Sequence, residues 1–377
     1  MMLTLILKGA NGCNLNCSYC SLGEKPRHDI VSVQTLIHIF EYVCNVCRQR
    51  NIAQLEIILH GGEPTLVPVN VYDAAIRHAQ VQFPDIQIHL SMQTNAFSIS
   101  DEYLSFMQRY NINVGVSIDG SAYIHDRERK SKSGNNTFKT ITQNIERMQA
   151  VGLNVSCLMV LTSIGVAASL DYLDYYASRH IHLKINPLLN YGEACKNPEL
   201  AIKSGDYANY LIRVYEYIIA NNIDVTVSPI DKLLQAILRK DKIRECTFND
   251  KCNHSFLCID HLGDIYPCGK YSDIHNFKLG NVLFQNIDIV NNLQFQILTE
   301  RRSCKLPTKC RACKYVTLCH AGCSAEASIE KKFGEPPFLC QDYQILFDYF
   351  SSTGLQLLRE QLVKCKQYLI MEESDGV

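Results

Sequence analysis

The chain has 377 residues, 47% of them apolar, and a formal charge of −1 at neutral pH. That length carries one large α/β domain plus a smaller one. The scattered, nearly balanced Lys and Arg exclude the basic footprint of a nucleic-acid binder and a polybasic membrane patch.

No apolar run reaches membrane-spanning length, and the N-terminus lacks the charged start and cleavage site of a signal peptide, so a cytoplasmic protein with no membrane partner is expected. In that compartment thiols stay reduced, and 18 cysteines point to metal ligation rather than disulfides. Leu3–Leu7 reads as the first strand and runs into Gly12-Cys13-Asn14-Leu15-Asn16-Cys17-Ser18-Tyr19-Cys20. Three thiols at Cys-x3-Cys-x2-Cys can hold three irons of a [4Fe–4S] cube and leave the fourth iron open, whereas such cubes ordinarily take four cysteines. A zinc knuckle is the alternative on spacing alone.

Further strands are expected at Leu55–Leu59, Ile86–Met92, Val114–Ser117, Val155–Leu161 and His182–Ile185, with helices near 32–50, 70–82, 101–110, 137–150 and 167–179. This βα repeat calls for a parallel sheet. Every strand but the fifth runs into polar or Gly-rich residues, among them His60-Gly61-Gly62-Glu63 and Gln93-Thr94-Asn95. Loops at the C-terminal ends of such strands carry the chemistry in βα barrels. Six units, not eight, predict an open, partial TIM-like barrel over residues 1–225. Helices at 206–222 and 229–243 then lead away, with 226–245 as a helical bridge.

From Cys246 the composition changes: ten cysteines lie between residues 246 and 340, which predicts a separate, metal-organised domain over 246–345. Residues 346–377 read as a C-terminal helix, its apolar face drawn by Leu355, Leu358, Leu362 and Leu369.

The cysteine loop, with Tyr19 before its third cysteine, resembles the signature of radical S-adenosylmethionine (SAM) enzymes. That resemblance implies an open iron that chelates SAM and reductive cleavage to a 5′-deoxyadenosyl radical, with a flavodoxin- or ferredoxin-type electron donor. Gly61-Gly62-Glu63-Pro64 is similar to the motif whose backbone binds the amino group of SAM, which singles out Gly62 and Glu63. Val114-Gly-Val-Ser117-Ile-Asp119-Gly120, then His125-Asp126 and Arg129, resembles a block in anaerobic sulfatase-maturating enzymes, where the serine and arginine bind SAM. A guanidinium fork suits a carboxylate, with Arg127 as the alternative partner. Leu188 matches a backbone contact to the adenosine.

Cys310-x2-Cys313-x5-Cys319-x3-Cys323, then Cys340, resembles the SPASM domain of peptide-modifying radical SAM enzymes, and Cys252-x10-Gly263-x4-Cys268 its opening. Carried over by position, Cys246, Cys252, Cys268 and Cys323 would hold one auxiliary [4Fe–4S] cube and Cys310, Cys313, Cys319 and Cys340 another. Two four-cysteine zinc sites are the alternative. Cys258 rivals Cys252 but sits in a run, Phe256–Ile259, that reads as a buried strand.

Sulfatase maturases carry an aspartate as general base after the cysteine matching Cys268; here Gly269 and Lys270 follow. Lys270 or Tyr271 could take that place, a surface lysine being the ordinary expectation. The resemblance therefore implies a maturase of ribosomally made peptides, cross-linking or oxidising a side chain, with formylglycine formation as the alternative. From another class the rival is an iron–sulfur electron carrier. With the first strand at Leu3, the substrate peptide is expected at the barrel mouth, the bridge or a separate protein.

Overall fold

The computed structural model describes residues 2–22, 29–274, 277–284, 288–329 and 333–374, and side chains as far as Val363. Strand β1 (Met2–Ala10) leads into a short β2 (Leu15–Cys17), then α1 (Val33–Gln49), β3 (Gln54–Gly61), α2 (Val69–Gln82), β4 (Gln87–Thr94), α3 (Asp101–Arg109) and β5 (Asn113–Ser117). Next come α4 (Ala122–Glu128), β6 (Arg129–Ser131), α5 (Phe138–Ala150), β7 (Val155–Leu161), α6 (Ser163–Val166), α7 (Leu173–Ala177), β8 (His182–Pro187), α8 (Asp206–Asn221), β9 (Val227–Ser228) and α9 (Ile230–Arg239).

The main sheet runs β10-β1-β3-β4-β5-β7-β8-β9 with every pair parallel, where β10 is Phe256–Asp260. The order does not close, so the α/β barrel is partial, as the six βα units predicted. Leu3, Leu5 and Leu7 are fully buried, and Thr4 and Lys8 on the opposite face are nearly so. Such two-sided burial is what helices covering a parallel sheet produce. Ser32 and Ser100 cap α1 and α3, each hydroxyl accepting a backbone N–H three residues on, as N-cap residues do.

Three departures have local causes. The helix expected over 167–179 forms only as α7 over Leu173–Ala177, because Thr162 caps a separate short α6 that ends at Val166 and the Ser169 hydroxyl accepts the Asp171 N–H ahead of α7. Such side-chain bonds compete with helix continuation. The bridge does not simply lead away: β9 adds a further parallel strand to β8 before α9 begins. The cysteine-rich segment is also not a detached module. Its strand β10 pairs with the outer edge of β1, Leu257, Cys258 and Ile259 being fully buried, and β11 (Asp264–Tyr266) and β12 (Gly280–Asn281) follow antiparallel.

Beyond α10 (Cys252–Ser255), the cysteine-rich segment carries α11 (Gly269–Asp273), α12 (Leu293–Arg301), α13 (Thr308–Arg311), α14 (Val316–Cys319) and α15 (Ser324–Ile329). The tail is two helices, α16 (Cys340–Ser351) and α17 (Thr353–Ser374), broken at Ser352, whose hydroxyl bonds back to the Asp348 and Tyr349 carbonyls. Buried Asp342 of α16 accepts the N–H groups of Gly205 and Ala208 at the start of α8, where a carboxylate meets the positive end of a helix dipole. In α17 Leu355 and Leu358 are half-buried, but Leu362 is 61% exposed, and the side chain of Leu369 lies outside the described residues. No helix among the described residues is long and apolar enough to cross a membrane.

Candidate active site

The parallel register brings the loops after β1, β3, β4, β5 and β8 to one end of the sheet. A cavity of about 370 Å³ opens there, lined by Cys13, Cys17, Tyr19, Cys20, Gly62, Glu63, Ser117, Arg129 and Leu188. Every residue singled out for the first cluster and for SAM therefore borders one space.

The cysteine loop is fixed from both sides. β2 pairs with β6, setting Cys17 opposite Arg129. The N–H groups of Gly62 and Glu63 donate to the Ala10 and Gly12 carbonyls, at 2.8 and 2.9 Å. A Cβ on Gly62 would lie 2.5 Å from the Gly12 carbonyl carbon and closer still to its oxygen. The glycine is thus required by the neighbouring loop, not by a ligand alone. With its N–H groups used in this docking, the turn offers acceptors, the polarity an ammonium needs.

Glu63 is buried and its carboxylate accepts from Thr65 N and Oγ1, Thr94 Oγ1 and Asn95 N. Burial pushes its pKa up against these hydrogen bonds, and the side chain binds the end of β4 to the turn after β3. Asn95 in turn reaches the Cys13 sulfur, which also accepts the Leu15 N–H, at 3.5 and 3.4 Å. Donors aimed at a sulfur suit a thiolate ligand.

Arg129 is buried and grips Asp119 through Nε and Nη2, at 2.7 and 3.3 Å, with its guanidinium 5.3 Å from the centre of the Tyr19 ring. The Tyr19 hydroxyl also donates to Asp119. Burial alone would raise the Asp119 carboxyl, yet the arginine holds it below the usual range. His125 completes the frame: its Nδ1 accepts the Asp119 N–H and its Nε2 lies 3.0 Å from Thr137 Oγ1, which donates to the Arg129 carbonyl. Arg127, the alternative, stacks on Tyr123 instead and does not line the cavity. Ser117 Oγ accepts from Gln93, and the Leu188 N–H is used by the Leu161 carbonyl.

The opposite wall comes from the bridge and the cysteine-rich segment: Glu245, Cys246, Lys270, Glu326 and Tyr343. Lys270, its side chain one-third exposed, borders the cavity. Its Nζ pairs with Glu326 at 2.7 Å and lies 3.9 Å from Cys323 Sγ, and Glu326 also accepts the Tyr343 hydroxyl at 3.1 Å. Nothing in sequence marks Glu326 beyond its place three residues after Cys323. Tyr271 is buried off the cavity.

The remaining cysteines separate into two groups. Burial, then the proximity of Cys323 and Cys246, sets the Cys252 thiol at about 11, although Arg302 opposes; Cys268 is raised by burial and then by Cys323 and Cys252. Cys319 is pushed to about 12 by burial and then by Cys340, and Cys310 is raised by burial and then by Cys340, with Cys313 contributing. Cys246, Cys252, Cys268 and Cys323 thus lie within electrostatic reach of one another, as do Cys310, Cys313, Cys319 and Cys340, while Cys258 lies fully buried in β10. Among the described residues no three His, Cys, Asp or Glu side chains converge tightly enough for one metal ion. Donors around a multi-iron cube, each on a different iron, need no such convergence.

One observation tests the fit of an anionic centre directly. Arg302 is 1% exposed, its Nη1 donates to Cys252 Sγ at 3.1 Å, and its buried Nε has no partner among the described residues. A buried cation beside thiols calls for negative charge there, which a four-thiolate cluster supplies.

Residues 7–166 match the radical SAM superfamily. That stretch is a radical SAM domain, which makes the chain an enzyme and implies a SAM site and an iron–sulfur cluster. Along nearly its whole length it is homologous to anaerobic sulfatase-maturating enzymes. It is 26% identical to a cysteine-type enzyme of Clostridium perfringens, over 92% of this chain and 96% of that one. To a serine-type enzyme of Bacteroides thetaiotaomicron it is 23% identical, over 93% and 89%. Its fold matches a solved structure, native anSMEcpe with bound AdoMet and Kp18Cys peptide, at TM-score 0.81 and 24% identity, over 96% and 99% of the two chains. Streptococcus suis SuiB bound to its precursor peptide SuiA matches at TM-score 0.67 and 16% identity, over 90% and 76%.

Proposed function

We propose that the chain is a cytoplasmic radical SAM/SPASM peptide maturase that cross-links or oxidises a peptide side chain. In this reading Cys13, Cys17 and Cys20 hold the SAM-binding cluster, and Tyr19, Gly62, Glu63, Ser117, Arg129 and Leu188 bind SAM. Cys246, Cys252, Cys268 and Cys323 hold one auxiliary cube and Cys310, Cys313, Cys319 and Cys340 the other, with a flavodoxin- or ferredoxin-type donor supplying electrons. The domains are 1–225, a bridge at 226–245, 246–345 and 346–377, the third sharing the first one's sheet.

The observation that carries this reading is the single cavity walled by the SAM residues on one side and by Cys246 and the Lys270–Glu326 pair on the other. When bound, SAM and its cluster supply a 5′-deoxyadenosyl radical. The protein's own residues orient SAM, keep water from the radical behind buried Tyr19 and Leu188, and present a charged wall to the substrate. Solved relatives of the same fold that bind peptides support a peptide substrate.

The second reading, formylglycine formation, is favoured by homology to the sulfatase maturases. Against it stands Gly269, which cannot serve as their base, and the carboxylate nearest in role, Glu326, is tied to Lys270. Mass spectrometry on anaerobic reactions separates the two. A peptide losing two hydrogens supports cross-linking, while a sulfatase-type cysteine peptide that gains oxygen and loses sulfur supports formylglycine. Failure to form 5′-deoxyadenosine from SAM sinks both and leaves an electron carrier.

A further inference from the structure

Two consecutive arginines leave the end of α12, and the fold uses them differently. Arg301 gives its donors to the carbonyls of Phe333, Ala321 and Glu335, so it staples backbone segments together. Arg302 turns to the cysteines instead. Nη1 donates to the Cys246 carbonyl at 3.2 Å and to Cys252 Sγ at 3.1 Å, Nη2 donates to the Thr247 carbonyl at 2.5 Å, and no carboxylate pairs with it among the described residues. Lys270, the other cation at this group, is neutralised by Glu326. At the second group the hydrogen bond to sulfur is a neutral one, Gln344 Nε2 to Cys340 Sγ at 3.4 Å. The charges of Arg302 at Cys319 and Arg301 at Cys310 act there without a hydrogen bond to sulfur among the described residues.

We propose that Arg302 sets the reduction potential of the auxiliary cluster held by Cys246, Cys252, Cys268 and Cys323, holding it above that of the second auxiliary cluster. Reduction adds one electron and hence one negative charge to the cluster. A buried guanidinium within hydrogen-bond reach of a ligand sulfur favours that more negative state, since the low-dielectric interior screens the attraction poorly, and hydrogen bonds to sulfur are a recognised control on such potentials. The consequence is directional: the auxiliary centre bordering the cavity becomes the better acceptor of the two. The inference rests on the proposed function only in taking these four cysteines as cluster ligands.

The test is an EPR-monitored redox titration with dithionite of the full chain carrying Cys13→Ala, Cys17→Ala and Cys20→Ala, so that only auxiliary iron reports. Arg302→Gln is expected to make one auxiliary cluster at least about tenfold harder to reduce, a 59 mV fall for one electron, and to move the other much less. Arg302→Lys keeps most of the potential. Independently of folding effects, enzyme with unsubstituted Arg302 and 15N-labelled arginine shows a nitrogen coupling on that cluster's signal, lost in Arg302→Lys. Unchanged potentials in Arg302→Gln, equal shifts of both clusters, or no arginine coupling overturns the proposal. Zinc in place of iron overturns it together with the cluster assignment, whereas a peptide that stays unmodified sinks only the peptide-maturase reading.

Discussion

At the residue scale, the site is held by charges and thiols that burial makes sensitive to their partners. Cys17 sits on β2 against Arg129, so under the proposed assignment Cys17→Ala would remove one ligand of the first cluster without touching the eight cysteines farther along. It is expected to reduce 5′-deoxyadenosine formation to background while auxiliary iron, counted per chain, is retained; surviving SAM cleavage would refute the ligand assignment. His125 gives a pH signature. Burial pulls its pKa down to about 4, from an ordinary value near 6.5. Its Nδ1 accepts the Asp119 N–H, so a second proton would set donor against donor. The unfolded chain binds that proton more readily between pH 6.5 and 4. Its contribution is therefore present above pH 6.5 and lost as pH falls toward 4, by up to about 1.4 kcal/mol per pH unit and about 3 kcal/mol in all. Denaturant titrations of the anaerobic enzyme at pH 7 and pH 5 measure this loss, and His125→Gln should flatten it.

At the scale of elements, the active end is a set of loops locked to one another by backbone. The turn after β3 and the cysteine loop after β1 share two hydrogen bonds and a contact only glycine permits. Gly62→Ala is expected to cost about 1–3 kcal/mol, as overpacking does. The loops must part, so iron in the first cluster and SAM cleavage should both fall while the auxiliary iron count holds. Normal SAM turnover in this variant would show that the loop packing has slack.

For the molecule as a whole, the cysteine-rich segment completes the sheet rather than decorating it. Without β10, the outer edge of β1 would expose unpaired N–H and C=O groups beside fully buried Leu3, Leu5 and Leu7, and such an edge invites aggregation. A fragment ending at Glu245 is therefore expected to be largely insoluble or aggregated by size-exclusion chromatography, although it contains every residue assigned to SAM. A monodisperse, SAM-cleaving fragment would contradict this dependence.

The sequence by itself determined the βα order and the three-cysteine loop after the first strand, because each is written in local spacing or in periodicity. The pairing of the later cysteines into two interleaved sets came from the resemblance, since spacing alone does not divide them. Burial on both faces of β10 was legible in the local run Phe256–Ile259. Its pairing with β1 was not, since register between segments some 250 residues apart depends on which edge is left open. Glu326, Lys270 and Arg302 read as ordinary surface charges in the chain. Only the tertiary structure decided that two of them wall the cavity and the third faces a cysteine sulfur, because burial and partnership arise when distant elements pack.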